Sequence, residues 1–169
     1  AWGTVDQTGE ASGTPRASAT VPRRPALPIG DVNGERASSR STGVGELDRV
    51  LGGGIVPGAV ILLAGEPGVG KSTLLLDVAA KAARTAAAGG RGPVLYVTGE
   101  ESAAQVRGRA ERIGALEPNL LIADETDLGV VLGHVEAVGP SLLVVDSVQT
   151  IFSTQVEGGA GGVAQVRAV

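Results

Sequence analysis

The stretch from Gly65 to Ser72 constrains this 169-residue chain more than any other part of it. Two glycines stand five positions apart, and Lys71 and Ser72 follow the second one directly. Backbone N–H groups can curl around phosphate oxygens only where no Cβ obstructs their approach, which is why such loops are rich in glycine. The stretch also lies between an apolar run typical of a buried strand and a segment with helical periodicity. It therefore predicts a phosphate-binding loop that opens a helix.

The chemistry of this loop predicts ATP and Mg²⁺ as ligands. The helix that follows would direct its unpaired N–H groups and the positive end of its dipole at the phosphates. Lys71 would neutralise the β- and γ-phosphates and contribute to catalysis, and the Ser72 hydroxyl would coordinate Mg²⁺. The predicted nucleotide-binding residues are Gly65, Glu66, Pro67, Gly68, Val69, Gly70, Lys71, Ser72 and Thr73.

Apolar runs alternate with helix-period segments along the rest of the chain. The predicted strands are residues 60–64, 94–98, 120–123 and 142–146. The predicted helices are residues 43–51, 71–85, 102–113 and 128–138. This alternation indicates βαβ units and an α/β fold in which helices cover both faces of a mostly parallel sheet.

Acidic residues follow two of the predicted strands. Asp146 ends the run 142–146 and is predicted to hold the Mg²⁺ shell, directly or through water, because ligands bind beyond the carboxyl ends of parallel strands. Glu100 and Glu101 follow the strand 94–98, where a carboxylate could orient the attacking water. Glu100 is the first choice, and Glu101 remains the alternative. Ser102 is interpreted as a helix cap, and either Asp127 or Thr126 as the cap of the helix that follows.

Composition limits the remaining possibilities. The net charge of −4 argues against a broadly basic surface for nucleic acid, so any DNA site must be local. The chain has no cysteine, hence no disulfide and no thiolate metal site. It also lacks an apolar run of about 18 residues and a secretory signal, which favours a cytoplasmic protein that does not bind membranes. We interpret residues 1–41, rich in Gly, Pro, Ser and Thr, as a flexible linker, and residues 42–169 as the folded domain.

Several blocks together resemble the bacterial RadA (Sms) family of DNA repair proteins. They are residues 41–54, 65–72, 96–102 and 146–151, with 165–167. The resemblance covers roughly residues 27–169, and the order of the blocks is specific. It implies a RecA-like P-loop NTPase fold, with Glu100 as the catalytic carboxylate and Asp146 as the Walker B residue.

The same resemblance implies a function for the whole protein. It implies a DNA-stimulated ATPase that binds single-stranded or branched DNA and promotes branch migration, assembled as a homo-oligomeric ring with ATP between subunits and compatible with a recombinase partner. Residues 153–162 would face the DNA, although this stretch contains Glu157 and no basic residue. The chain lacks an initiator Met and the family's zinc ribbon, and residues 162–169 suggest a helix that has only begun. We therefore expect a fragment, incomplete at its C-terminus, with zinc bound only outside it.

Three alternatives remain open. A KaiC-like or recombinase-like ATPase shares the glycine-rich entry and the loop. A nucleotide-gated binding module would bind ATP without useful turnover. A P-loop kinase would need an acceptor pocket and basic lid residues, which are not evident after Asp146. Arg107, Arg109 and Arg112 follow Glu101 on a predicted helix and are interpreted as solvated surface, so no arginine finger is assigned.

Overall fold

The computed structural model describes residues 26–31 and 38–154. The chain divides into two compact units, residues 1–34 and 35–169. In the first unit, where residues 26–31 are described, a 3-10 turn spans Ile29–Asp31. Most of the predicted linker, most of the predicted DNA-facing loop and the predicted terminal helix lie outside the described residues, so these assignments stay predictions.

The second unit alternates helices and strands. Its helices are α1 (Gly45–Val50), α2 (Lys71–Ala88), α3 (Ala103–Arg112) and α4 (Leu128–Val138). Its strands are β1 (Val94–Thr98), β2 (Leu120–Asp124) and β3 (Leu142–Asp146). All four predicted helices and three of the four predicted strands are confirmed, and α2 continues three residues beyond its predicted end.

The three strands form one parallel sheet in the order β2-β1-β3. On one face, α2 and α3 contribute Leu76 and Val106 to a buried cluster with Tyr96. On the other face, Val131 of α4 packs against Val97 and its neighbours. Every residue of β1 is buried, because this strand is central and covered on both sides. The predicted α/β architecture, with helices on both faces of a parallel sheet, is confirmed.

The predicted strand at residues 60–64 is wrong in this structure. The segment forms no strand, and Val60 is 98% exposed and Leu62 78% exposed. Apolar content indicates a tendency to be buried, but a strand also requires the edge of another strand to pair with. The segment pairs with neither β2 nor β3, the two outer strands of the sheet. It therefore enters the glycine-rich loop as exposed, irregular chain.

Side-chain caps fix the starts of α3 and α4, which follow the carboxyl ends of β1 and β2. Ser102 forms a capping box: its hydroxyl accepts from Gln105 N, while the Gln105 side chain accepts from Ser102 N at 2.9 Å. Asp127 Oδ1 accepts from Gly129 N at 2.7 Å. The predicted Ser102 cap is confirmed, and of the two candidates for the start of α4 the cap is Asp127, not Thr126.

Within residues 26–31 and 38–154, no helix is both long and apolar enough to cross a membrane.

Candidate nucleotide-binding site

The glycine-rich loop leads directly into α2, an 18-residue helix that begins at Lys71. Gly68 and Gly70 have φ values of 80° and 92°, a left-handed region that residues with a Cβ rarely adopt. No atom lies within 4 Å of a Cβ built at either position, so backbone conformation rather than space requires glycine there. The loop is exposed and stands at a helix N-terminus, where free N–H groups and the helix dipole favour an anion.

The Lys71 side chain turns back over this loop. Its Nζ donates to the carbonyl oxygens of Gly65 at 2.8 Å and Glu66 at 2.7 Å. Both acceptors are neutral, and a phosphate oxygen that carries negative charge accepts a stronger hydrogen bond from an ammonium group. Lys71 therefore lies where a phosphate bound in the loop could compete for it.

Ser72 lies on the side of α2 that faces the sheet. It precedes Leu76 by one helical turn, and Leu76 is 2% exposed in the cluster with Tyr96. Near the other end of α2, the Ala83 carbonyl accepts a hydrogen bond from the Asn119 side chain. The Asn119 carbonyl in turn accepts from the N–H of Val94, so the end of α2 lies near the start of β1. The helix thus runs antiparallel to the strands, so Ser72 and the neighbouring Thr73 lie toward the carboxyl edge of the sheet.

Two of the predicted carboxylates meet at that edge. Thr98 and Asp146 are aligned as the last residues of β1 and β3, and Gly99 N donates to the Asp146 carbonyl at 3.1 Å. The hydroxyl of Ser147, directly after β3, donates to Glu100 Oε1 at 2.5 Å. The structure therefore brings Glu100 and Asp146 together across adjacent strands, as their positions after predicted parallel strands indicated.

A third side chain, Tyr96, reaches the same edge from within the core. Its hydroxyl donates to Asp146 Oδ2 at 2.7 Å, and the residue is only 1% exposed. Burial and the hydrogen bond to Asp146 raise the pKa of Tyr96 far above its ordinary value, so the hydroxyl stays protonated and remains a donor. Sequence reasoning missed this contact. Side chains alternate between the two faces of a sheet, so a suitable register would place Tyr96 and Asp146 on the same face. Only the observed register of β1 against β3 shows that they do share a face and lie close enough to bond.

Glu101 is engaged differently from Glu100. Arg109 Nη2 of α3 donates to Glu101 Oε1 at 2.5 Å, with the two side chains 20% and 34% exposed. The interpretation of Arg109 as solvated surface is therefore wrong: after the Ser102 cap, α3 folds back and directs this position at the end of β1. Arg109 Nη1 is buried without a hydrogen-bond partner among the described residues. Over residues 38–154, Glu101 has a cationic partner and Glu100 has none.

The donor set at the edge suits Mg²⁺. Ser72 and Asp146 carry side-chain oxygens that could serve as ligands, and this hard cation prefers oxygen. No group of three or more His, Cys, Asp or Glu side chains forms a metal cage within the described residues. A Mg²⁺ ion here would take its remaining ligands from nucleotide phosphates and water, as is common for Mg²⁺ bound with nucleotides.

Gly99 links this edge to the chain that follows β3. A Cβ at Gly99 would lie 2.1 Å from Thr150 Oγ1 and 2.8 Å from Thr150 Cβ. Gly99→Ala should therefore displace the segment after β3 and lower the free energy of unfolding by about 1–3 kcal/mol. Gly133→Ala is the control: this helical glycine has no atom within 4 Å, and the change should raise the free energy of unfolding by about 0.4–1 kcal/mol. Urea unfolding of both variants measures the difference, and equal midpoints would contradict the packing described at Gly99.

The family model described as "AAA domain" matches residues 37–166. The chain is 51% identical to DNA repair protein RadA of Mycolicibacterium smegmatis over 173 residues, covering 99% of the chain and 36% of that protein. It is 46% identical to DNA repair protein RadA of Aquifex aeolicus, with 99% of the chain and 36% of that protein covered. DNA repair protein RadA of Streptococcus pneumoniae is 41% identical, with 91% and 35% covered.

The chain therefore spans about a third of the length of the curated relatives it matches. The predicted resemblance to bacterial RadA is confirmed, and the match of a single domain model agrees with the parallel α/β sheet and the loop before α2. These findings support a P-loop ATPase. With more than three quarters of its residues inside the match, the chain belongs to the AAA domain family.

Proposed function

We propose that this chain is the nucleotide-hydrolysing part of an ATP-dependent DNA repair protein. The observation that carries the proposal is the meeting of Glu100 and Asp146 at one edge of the sheet, on the two strands beneath the helix that the glycine-rich loop opens. An anion site, a metal-binding carboxylate and a second carboxylate are the components that ATP hydrolysis requires.

Each component has a distinct role in the proposed reaction. Residues 65–73 hold the phosphates through backbone N–H groups, and the Lys71 ammonium moves from its loop carbonyls to the β- and γ-phosphates. Ser72 and Asp146 would hold Mg²⁺, which supplies charge neutralisation on the phosphates when bound. Because Lys71 and the loop fix the γ-phosphate, the attacking water needs alignment from the opposite side.

Glu100 is the proposed group that aligns the water. Its Oε1 accepts from Ser147 at 2.5 Å, which restrains the carboxylate while its other oxygen stays available to accept from a water molecule. As water attacks phosphorus, the bond to the β–γ bridging oxygen breaks and ADP leaves with that electron pair, while Glu100 takes up the water proton. Glu101 fits this role less well, because Arg109 compensates its charge.

Action on DNA is proposed from the relatives named as DNA repair proteins and from the motif resemblance. The net charge of −4 supplies no general attraction for a polyanion. We therefore propose that affinity for single-stranded or branched DNA comes from residues outside this chain, or from many subunits of a homo-oligomeric ring acting together. The resemblance also supports branch migration, a recombinase partner, a zinc ribbon outside this chain and a cytoplasmic location.

If DNA affinity comes from residues outside this chain or from several subunits together, residues 1–169 alone should be a poor ATPase and a poor DNA binder. A longer protein that contains this chain should hydrolyse ATP faster when DNA is added, because a neighbouring subunit commonly supplies a basic finger to the γ-phosphate and raises the rate about 10³-fold or more. The measurement is ATP hydrolysis and single-strand binding by both proteins at matched salt. Comparable activity in the two would contradict the proposal that the missing segments are needed.

A further inference from the structure

The two carboxylates at the sheet edge are each held by a hydroxyl from the neighbouring strand. Tyr96 of β1 donates to Asp146 at the end of β3, and Ser147 after β3 donates to Glu100 beyond β1. The two hydrogen bonds thus cross the same pair of strands in opposite senses. The bond from Ser147 to Glu100 is exposed, whereas the bond from Tyr96 starts at a residue buried in the core. This difference makes Tyr96 the more rigid of the two supports.

Tyr96 also packs against α2, the helix that follows the glycine-rich loop. Its ring belongs to the buried cluster that contains Leu76 of α2 and Val144 of β3. Leu76 follows Ser72 by one helical turn, and Val144 precedes Asp146 by two residues on the same strand face. The phenol is therefore packed between the helix that carries one expected Mg²⁺ ligand and the strand that carries the other.

We propose that Tyr96 is a positioning residue for the Mg²⁺ site, holding Asp146 by Oδ2 so that Oδ1 is the oxygen presented to the metal or to its bound water. The inference rests on the proposed function, because it assigns a role to a contact of the proposed metal-binding carboxylate. Groups that orient a metal-binding side chain typically change metal affinity by about 10- to 100-fold when removed. The hydrogen bond from the buried Tyr96 hydroxyl to Asp146 is strong enough for this role, because hydrogen bonds to charged acceptors are stronger than those between neutral groups.

The competing account is that Asp146 merely satisfies a buried phenol. Under that account, Tyr96→Phe affects folding stability and leaves metal binding unchanged. The decisive readout is therefore metal affinity, separate from stability and from turnover.

The experiment compares the full chain with Tyr96→Phe and Val94→Ala. Mn²⁺ serves as the metal probe and is titrated by electron paramagnetic resonance in the presence of a saturating non-hydrolysable ATP analogue. Tyr96→Phe should weaken Mn²⁺ binding by about 10-fold or more, while the affinity for the analogue without metal stays unchanged. Val94→Ala is the control, because Val94 is fully buried in the same strand and cluster, and its truncation lowers stability without touching Asp146. It should leave the Mn²⁺ affinity at the parent value.

A second measurement needs no substitution. Tyr96 is the only tyrosine of the chain, so a protein labelled with ¹³C at the tyrosine Cζ gives a single signal from the phenol. With the analogue already bound, addition of Mg²⁺ should shift this signal, whereas addition of the analogue without metal should shift it much less.

The outcomes separate the inference from the proposed function. If the parent chain binds the metal–nucleotide complex and Tyr96→Phe binds Mn²⁺ equally well, the positioning role is wrong and the proposed function stands. An unmoved Cζ signal on Mg²⁺ addition leads to the same conclusion. If the parent chain binds no metal–nucleotide complex, the proposed function fails and the inference fails with it.

Discussion

Lys71→Ala is expected to abolish ATP hydrolysis, lowering the steady-state rate by about 100-fold or more. The ammonium group is the side-chain cation of the loop, and no neutral side chain can replace its charge on the β- and γ-phosphates. Its present partners are two loop carbonyls, so its removal should cost the fold little. Phosphate release by the longer, DNA-stimulated protein measures the effect.

Lys81→Ala provides the matched control. Lys81 is the only other lysine of the chain and lies on the same helix, where it pairs with Asp77 at 2.8 Å. Because partly exposed pairs one helical turn apart contribute only about 0.3–0.5 kcal/mol, this variant should hydrolyse ATP at close to the parent rate. Parent-like hydrolysis by Lys71→Ala would show that the loop is not the phosphate site.

Glu100→Gln should retain ATP binding and lose turnover by about 10²- to 10⁴-fold, the range typical of removing a positioned base. The amide keeps the size of the side chain but cannot take up a proton from the water. Steady-state hydrolysis and equilibrium binding of a fluorescent ATP analogue separate the two effects. Retained binding together with lost turnover would locate the defect in the chemical step.

Glu101→Gln is the paired comparison. This change weakens the ion pair with Arg109. It should lower hydrolysis less than Glu100→Gln, because it can disturb the sheet edge only by altering how α3 packs. A larger loss at Glu101 would reverse the assignment of the two glutamates. A parent protein that binds ATP with no turnover under any condition would instead favour the nucleotide-gated binding module.

Local signals in the sequence were sufficient for much of this fold. The Ser102 and Asp127 caps, the loop before α2 and the apolar runs of β1 to β3 all act over a few residues, and the structure agrees with each of them. Parallel strands then bring Glu100 and Asp146 to one edge without further information.

Long-range contacts could not be predicted in the same way. The segment 60–64 is as apolar as a buried strand, yet its pairing depends on an edge that the sequence does not specify. The side chain of Arg109 was assigned to the surface because helix periodicity does not reveal what α3 meets when it folds back. Likewise, the bond from Tyr96 to Asp146 spans fifty residues and depends on the register of β1 against β3.

The most direct test of the account is a crystal structure of the protein with a non-hydrolysable ATP analogue and Mg²⁺. We predict that the β- and γ-phosphates lie within residues 65–73, with Lys71 Nζ released from its loop carbonyls onto them. Mg²⁺ should lie about 2.1 Å from Ser72 Oγ and be linked to Asp146 directly or through one water. A water in line with the γ-phosphate should contact Glu100. Nucleotide bound away from this loop, or Mg²⁺ coordinated without Ser72 and Asp146, would contradict the central claim.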